Sequence, residues 1–71
     1  MDKIERAEQW AKKKLEEGIT GPIRISAFET IEHPKEYLKT NLLRIRHSSQ
    51  IESALAYSRI EKLAKLLKNS K

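Results

Sequence analysis

Two histidines, His33 and His47, are the only side chains in this 71-residue chain whose ordinary pKa suits proton transfer near neutral pH. His47, Ser48 and Glu52 supply the residue types of a Ser-His-acid set. Such a set needs nucleophile, base and orienting acid in serial hydrogen-bond contact. Neighbouring residues point apart, and Glu52 belongs to the next predicted helix, where helix capping accounts for it more simply. The chain has no cysteine, so it carries no thiol nucleophile. The sequence therefore predicts no catalytic residue and no enzyme.

Glu29, Glu32, His33 and Glu36 offer oxygen and nitrogen donors for a divalent cation. No H-x-x-x-H or E-x-x-H spacing puts two strong ligands on one helical face, and Pro34 interrupts the run. Acids at a helix start also favour the positive end of the helix dipole. The prediction is a solvated helix start, with no metal and no cofactor.

The basic residues are more informative. Lys39 to Lys71 contains eight basic and two acidic residues, a charge of +6, whereas Met1 to Leu38 contains seven and eight, a charge of −1; together they give the +5 of the chain. Lys and Arg neutralise phosphates in nucleic-acid binders, largely without regard to sequence. Arg44, Arg46, His47, Arg59, Lys62, Lys65 and Lys68 are the candidate anion or nucleic-acid contacts. The pattern stops short of a DNA reader, because the N-terminal residues of the last helix are Gln50, Ile51, Glu52 and Ser53, with a single good base-reading group among them. Four aromatics with no interleaved basic residues make no evident stacking platform for RNA. In a helical hairpin, moreover, Arg44, Arg46 and His47 fall at the turn, while Lys62, Lys65 and Lys68 fall two to four turns away, near Lys35 and Lys39 but also Glu32 and Glu36. The charge is expected to be split between two ends.

Apolar residues outside the buried stripes point to protein contacts. Leu43 falls off the stripe of its helix, and Ile51, Leu55 and Leu66 fall on the side of the last helix away from Ala56, Ile60, Leu63 and Leu67. Two apolar sides on one helix need two neighbours, so Leu43, Leu55 and Leu66 are candidate interface residues. Trp10, the single tryptophan, sits at the edge of a narrow stripe, either widening the core or anchoring a partner.

Three helices position these groups. The first is predicted over about 2–17: Asp2 and Glu5 have capping-box spacing, Ile4, Ala7, Ala11 and Leu15 share one face, and Gly18 suits the residue after the end. Residues 19–33 form an extended connector. Gly21-Pro22 breaks the chain, and Ile23-Arg24-Ile25-Ser26-Ala27 alternates like a strand. One strand cannot satisfy its own backbone, so it must pair with a second copy, pair with nearby chain, or lie as an arm across the helices. The arm is preferred, with Ile23, Ile25 and Phe28 buried. The second helix is predicted over about 34–47, opened by His33 and Pro34, with Leu38, Leu42 and Ile45 inward and Tyr37 and Asn41 beside them. The third, over about 50–68, opens on the capping box Ser49-Gln50-Ile51-Glu52. The short link between them makes an antiparallel hairpin.

The expected architecture is thus an all-α, three-helix single domain over residues 1–71. A domain this small gains little from its own core, and without cysteines it has no disulfide or cysteine-zinc staple. Self-association as a homodimer is therefore one route to stability. The N-terminus lacks the apolar core of a signal peptide, and no apolar run approaches the ~20 residues of a membrane span, so a cytoplasmic setting is expected. The function expected is a small binding or regulatory module acting through protein contacts. A phosphate-binding nucleic-acid accessory using Arg44, Arg46, Lys62, Lys65 and Lys68 is the alternative, and a membrane role ranks below both.

Overall fold

The computed structural model describes residues 2–47 and 49–69. Ser48, a member of the Ser-His-acid set, and Lys71, counted in the basic half, lie outside the described residues. Helix α1 (Lys3–Glu17) leads to strands β1 (Ile23–Ser26) and β2 (Glu29–Ile31), and these to helices α2 (Pro34–Arg44) and α3 (Gln50–Asn69). The expected three-helix architecture is present, and a short β-hairpin serves as its connector.

The helix starts follow from their side chains. The Glu5 N–H donates to Asp2 Oδ1 at 2.7 Å, satisfying one of the orphan donors of the first turn. The Glu52 N–H donates to Ser49 Oγ at 3.4 Å. The capping box is only half made, however, because the Ser49 N–H donates to His47 Nδ1 at 3.1 Å rather than to Glu52. His33 precedes α2 without a side-chain cap, and Pro34 takes the first helical position. Gly18 ends α1 at φ 92°, a left-handed backbone that favours glycine, and its N–H donates to the Lys14 carbonyl at 3.0 Å.

The connector departs from the expected arm. β1 pairs antiparallel with β2, placing Ile23 opposite Ile31, Arg24 opposite Thr30 and Ser26 opposite Glu29, with an irregularity between Arg24 and Ser26. A lone strand leaves donors and acceptors without partners, and the nearest complementary backbone begins after only two intervening residues. Side chains fix the turn: Arg24 Nε donates to the Ser26 carbonyl and its terminal nitrogen to the Ala27 carbonyl, both at 3.2 Å. The Phe28 N–H donates to Ser26 Oγ, also at 3.2 Å. Ile31 is buried and Ile23 and Ile25 are half-buried, but Phe28 is 99% exposed, contrary to the expected burial. Phe28 occupies the turn, outside the alternation that turns the isoleucines inward.

α2 ends at Arg44, three residues earlier than predicted. Ile45 is fully buried, and the chain tightens around it: the His47 N–H donates to the Arg44 carbonyl at 2.9 Å, and the Ser53 hydroxyl donates to the Ile45 carbonyl. Burying Ile45 and satisfying its carbonyl from α3 requires the turn to begin there.

The core lies among the helices. Its fully buried large side chains are Leu38 and Ile45 from the α2 side and Ile60 and Leu63 from α3, with Ala11 of α1, Ala56 of α3 and Ile31 of β2 around them. Each large side chain contributes about 1.5–3 kcal/mol by leaving water. Asn41 is the one buried polar side chain among the described residues; its amide nitrogen donates to the Tyr37 carbonyl at 2.8 Å, and its oxygen accepts from Arg59 at 3.5 Å. Gly21 lies against Pro34, where a Cβ would come within 2.5 Å of the proline ring. That contact ties the start of the connector to the start of α2.

Candidate functional site, a basic groove between the first and third helices

α1 and α3 do not close on each other as α2 and α3 do. Between them runs a groove of about 730 Å³. Its apolar surface comes from Ala7 and Trp10 of α1 and from Ile60, Ala64 and Leu67 of α3. Alanine at 7 and 64 leaves room that a larger side chain would fill. Lys3, Arg6 and Lys14 line it from α1, and Lys65 and Lys68 from α3. Glu61 is the only carboxylate among the lining residues, so five cations face one anion.

Spacing explains this composition. Lys3, Arg6, Trp10 and Lys14 recur at i, i+3, i+7 and i+11, the same intervals as the apolar stripe Ile4, Ala7, Ala11 and Leu15 but displaced by one residue. The cations therefore flank the inward face along the whole helix. On α3, Tyr57, Glu61, Lys65 and Lys68 form the matching edge.

The groove's polar contacts are defined. The Tyr57 hydroxyl donates to Glu61 Oε2, and Lys65 Nζ lies 3.4 Å from Glu61 Oε1. The hydrogen bond from Tyr57, with help from the Lys65 and Lys3 charges, holds the Glu61 carboxyl below the usual carboxylate range. The same bond pushes the Tyr57 phenol up, assisted by burial and by the Glu61 charge. Lys14 Nζ sits 6.0 Å from the centre of the Trp10 ring, at the outer limit of a cation–π contact.

The sequence-derived candidates fall on several faces. Lys65 and Lys68 enter the groove together with Trp10, which is half-buried and packs against the core. Arg46 instead reaches α1, where its guanidinium lies 2.8 Å from Glu8, and that hydrogen bond raises its pKa. Arg44 lies 3.9 Å from Glu52 at the hairpin turn. His47 lines a second depression with Lys3, Ile4 and Gln50. Arg59 lines a third, of about 390 Å³, beside Tyr37, Glu29, Glu32, His33 and Glu36. Burial pushes the Tyr37 phenol up against the opposing pull of Arg59. Among the described residues no three acid or histidine side chains converge on a metal-holding position. Lys62 is exposed. Of the apolar candidates, Leu43 is 84% and Leu55 44% exposed, with Ile51 also exposed, whereas Leu66 packs against the core.

Lys3, Arg6, Lys14 and Tyr57 were not singled out from the sequence. The displaced basic stripe of α1 is their signal in the sequence, and it lies in a half of the chain whose net charge is −1. No helix of the described residues is long and apolar enough to cross a membrane. Comparison with known proteins finds no matching family model, no matching curated protein and no matching solved structure.

Proposed function

We propose that the chain is a small non-enzymatic binding module whose α1–α3 groove takes an acidic protein segment carrying an exposed apolar side chain. One observation carries this reading: five cations and one carboxylate surround an apolar floor that contains the single tryptophan. An acidic segment would pair with Lys3, Arg6, Lys14, Lys65 and Lys68 while placing an apolar side chain beside Trp10. Interface hot spots are enriched in Trp that becomes desolvated on binding, and a charged rim supplies orientation and rate of encounter. The lining of α1 from Lys3 to Lys14 spans about 16 Å, the reach of a few residues of extended chain or of three helical turns. A cytoplasmic, reducing setting suits a chain without cysteine.

Phosphate-backbone binding is supported less well. Arg44, Arg46, Lys62, Lys65 and Lys68 would have to present one surface, yet Arg44 and Arg46 face Glu52 and Glu8. What favours it is the presence of Trp10 and Tyr57 among cations, since single-stranded nucleic acid uses that combination. Trp10 emission decides between them. A short synthetic Glu-rich peptide with a central phenylalanine should shift that emission saturably. The shift should weaken with salt and vanish in the Lys65→Glu/Lys68→Glu variant. If a single-stranded oligonucleotide shifts the emission and the peptide does not, the protein-contact reading is replaced by the nucleic-acid one.

A further inference from the structure

We propose that Glu61 is the specificity-determining residue of the groove: its carboxylate fills a carboxylate subsite, built by Tyr57 and Lys65, that an acidic side chain of the bound segment takes over. The inference rests on the groove reading above and names the place where the segment's charge is recognised.

The donors define the subsite. The Tyr57 hydroxyl donates to Glu61 Oε2, and Lys65 Nζ lies 3.4 Å from Oε1, so each oxygen of the carboxylate has its own partner. A hydroxyl on one oxygen and an ammonium on the other suit any carboxylate brought to that point, whichever chain carries it. The charges of α1 reach the same place: Lys3 acts on Glu61, and Arg6 acts on Tyr57. Among the described residues Lys3, Arg6 and Lys68 form no ion pair, while Lys14 faces Glu17 at 3.3 Å. Glu61 is thus the sole counter-ion within the groove lining, and it lowers a charge of +5 to +4.

A glutamate with tyrosine four residues before it and lysine four after it also occurs as plain surface support on a helix. Two features set Glu61 apart from that. It lines the groove, where cations of both helices act on it. It is also held only by neighbours one turn away on its own helix, and such pairs are individually weak. With 42% of its side chain exposed, the released carboxylate meets water without any movement of the core. An incoming carboxylate exchanges with Glu61 instead of joining it, because two carboxylates at one pair of donors repel each other. A segment with no acidic side chain at that point leaves Glu61 in place and gains nothing from Tyr57 or Lys65. The internal carboxylate therefore selects for an acid at a defined position, beyond the general attraction of a positive groove.

Titrating the Glu-rich peptide against Trp10 emission tests the proposal. Glu61→Ala empties the subsite and should tighten binding by about two- to fivefold at low salt, the range of one exposed ion pair. Glu61→Gln, which keeps the length of the side chain, should act in the same direction. Glu16→Ala removes the same charge from an exposed position outside the groove and should leave the affinity unchanged. Adding Tyr57→Phe to Glu61→Ala should reverse most of the gain, because the hydroxyl that passes to the peptide is then missing. Tightening by Glu16→Ala as large as that by Glu61→Ala overturns the proposal, since net charge alone then governs binding. So does a double variant that binds as tightly as Glu61→Ala. If the Glu61 variants bind the peptide no more tightly than the parent, the groove reading stands and the subsite falls. If the peptide shifts the emission of none of these proteins, both fall.

Discussion

Helix α3 has two seams, and they are built differently. On the α2 side, Leu38 and Ile45 meet Ala56, Ile60 and Leu63, and water is excluded. On the α1 side, Ala7 and Ala64 leave a channel flanked by lysine and arginine. One seam uses branched side chains to fill volume, and the other uses small side chains to preserve it. The open seam still has a closed point, since Ala11 of α1 is fully buried in the core cluster. α1 is thus fastened at its middle and open along its edge. The difference separates the two sides of the helix: one side of α3 holds the fold, and the other leaves an open groove.

Cutting the closed seam should have the greatest effect. Leu38→Ala should cost about 2–5 kcal/mol, because Leu38 is fully buried and its methyls leave a cavity. In a domain of marginal stability, urea denaturation followed by circular dichroism should show most of the cooperative transition lost. A loss below about 1 kcal/mol would mean that the α2–α3 seam does not carry the fold.

Two substitutions one helical turn apart should behave differently at the two seams. Ala11→Leu adds three carbons at the fastened point, where overpacking costs about 1–3 kcal/mol. Ala7→Leu adds the same three carbons where the groove has room. It should leave the urea midpoint nearly unchanged while blocking the peptide-induced change in Trp10 emission. Equal destabilisation by both would mean that the groove is not open space.

The smallest effect is a pH dependence confined to the open seam. The folded Glu61 carboxyl sits below its unfolded value of about 4.3, so its contribution to stability is present above that value and is lost as the pH falls through the folded one. Tyr57 behaves in the opposite sense. Its phenol is raised in the folded state, so its contribution is present below the unfolded value of about 10 and is lost as the pH rises through the folded one. Tyr57→Phe removes the shared hydrogen bond and should flatten stability against pH at both ends, as read by thermal unfolding across pH 3 to 11. An unchanged acid limb would show that the Tyr57–Glu61 bond contributes nothing to folding.

Local signals were legible in the sequence and non-local ones were not. Asp2 and Ser49 identified the helix starts, Pro34 the opening of α2, and Gly18 the end of α1, because each acts on backbone within four residues of itself. The inward stripes of α2 and α3 also read correctly, since helical periodicity alone sets them. The hairpin was hidden because its turn, Ala27-Phe28, carries none of the glycine, asparagine, aspartate or proline that mark turns. Its signal is the Arg24 side chain, which braces the turn from three residues away. The end of α2 is not legible locally, because the carbonyl of Ile45 takes its hydrogen bond from Ser53, eight residues on. The groove is hidden for a related reason: it joins residues more than forty positions apart, from two halves of the chain with opposite net charge.

Gly21 carries a consequence for sequences that share this fold. A methyl group there would collide with the ring of Pro34, so the two positions constrain each other although a hairpin intervenes between them. Relatives should keep glycine at the first position wherever proline opens the helix at the second, and should relax both together. Phe28, whose ring is in water, is under no such restraint. A glycine–proline pair held in common, with free variation at Phe28 between its members, would thus mark one scaffold.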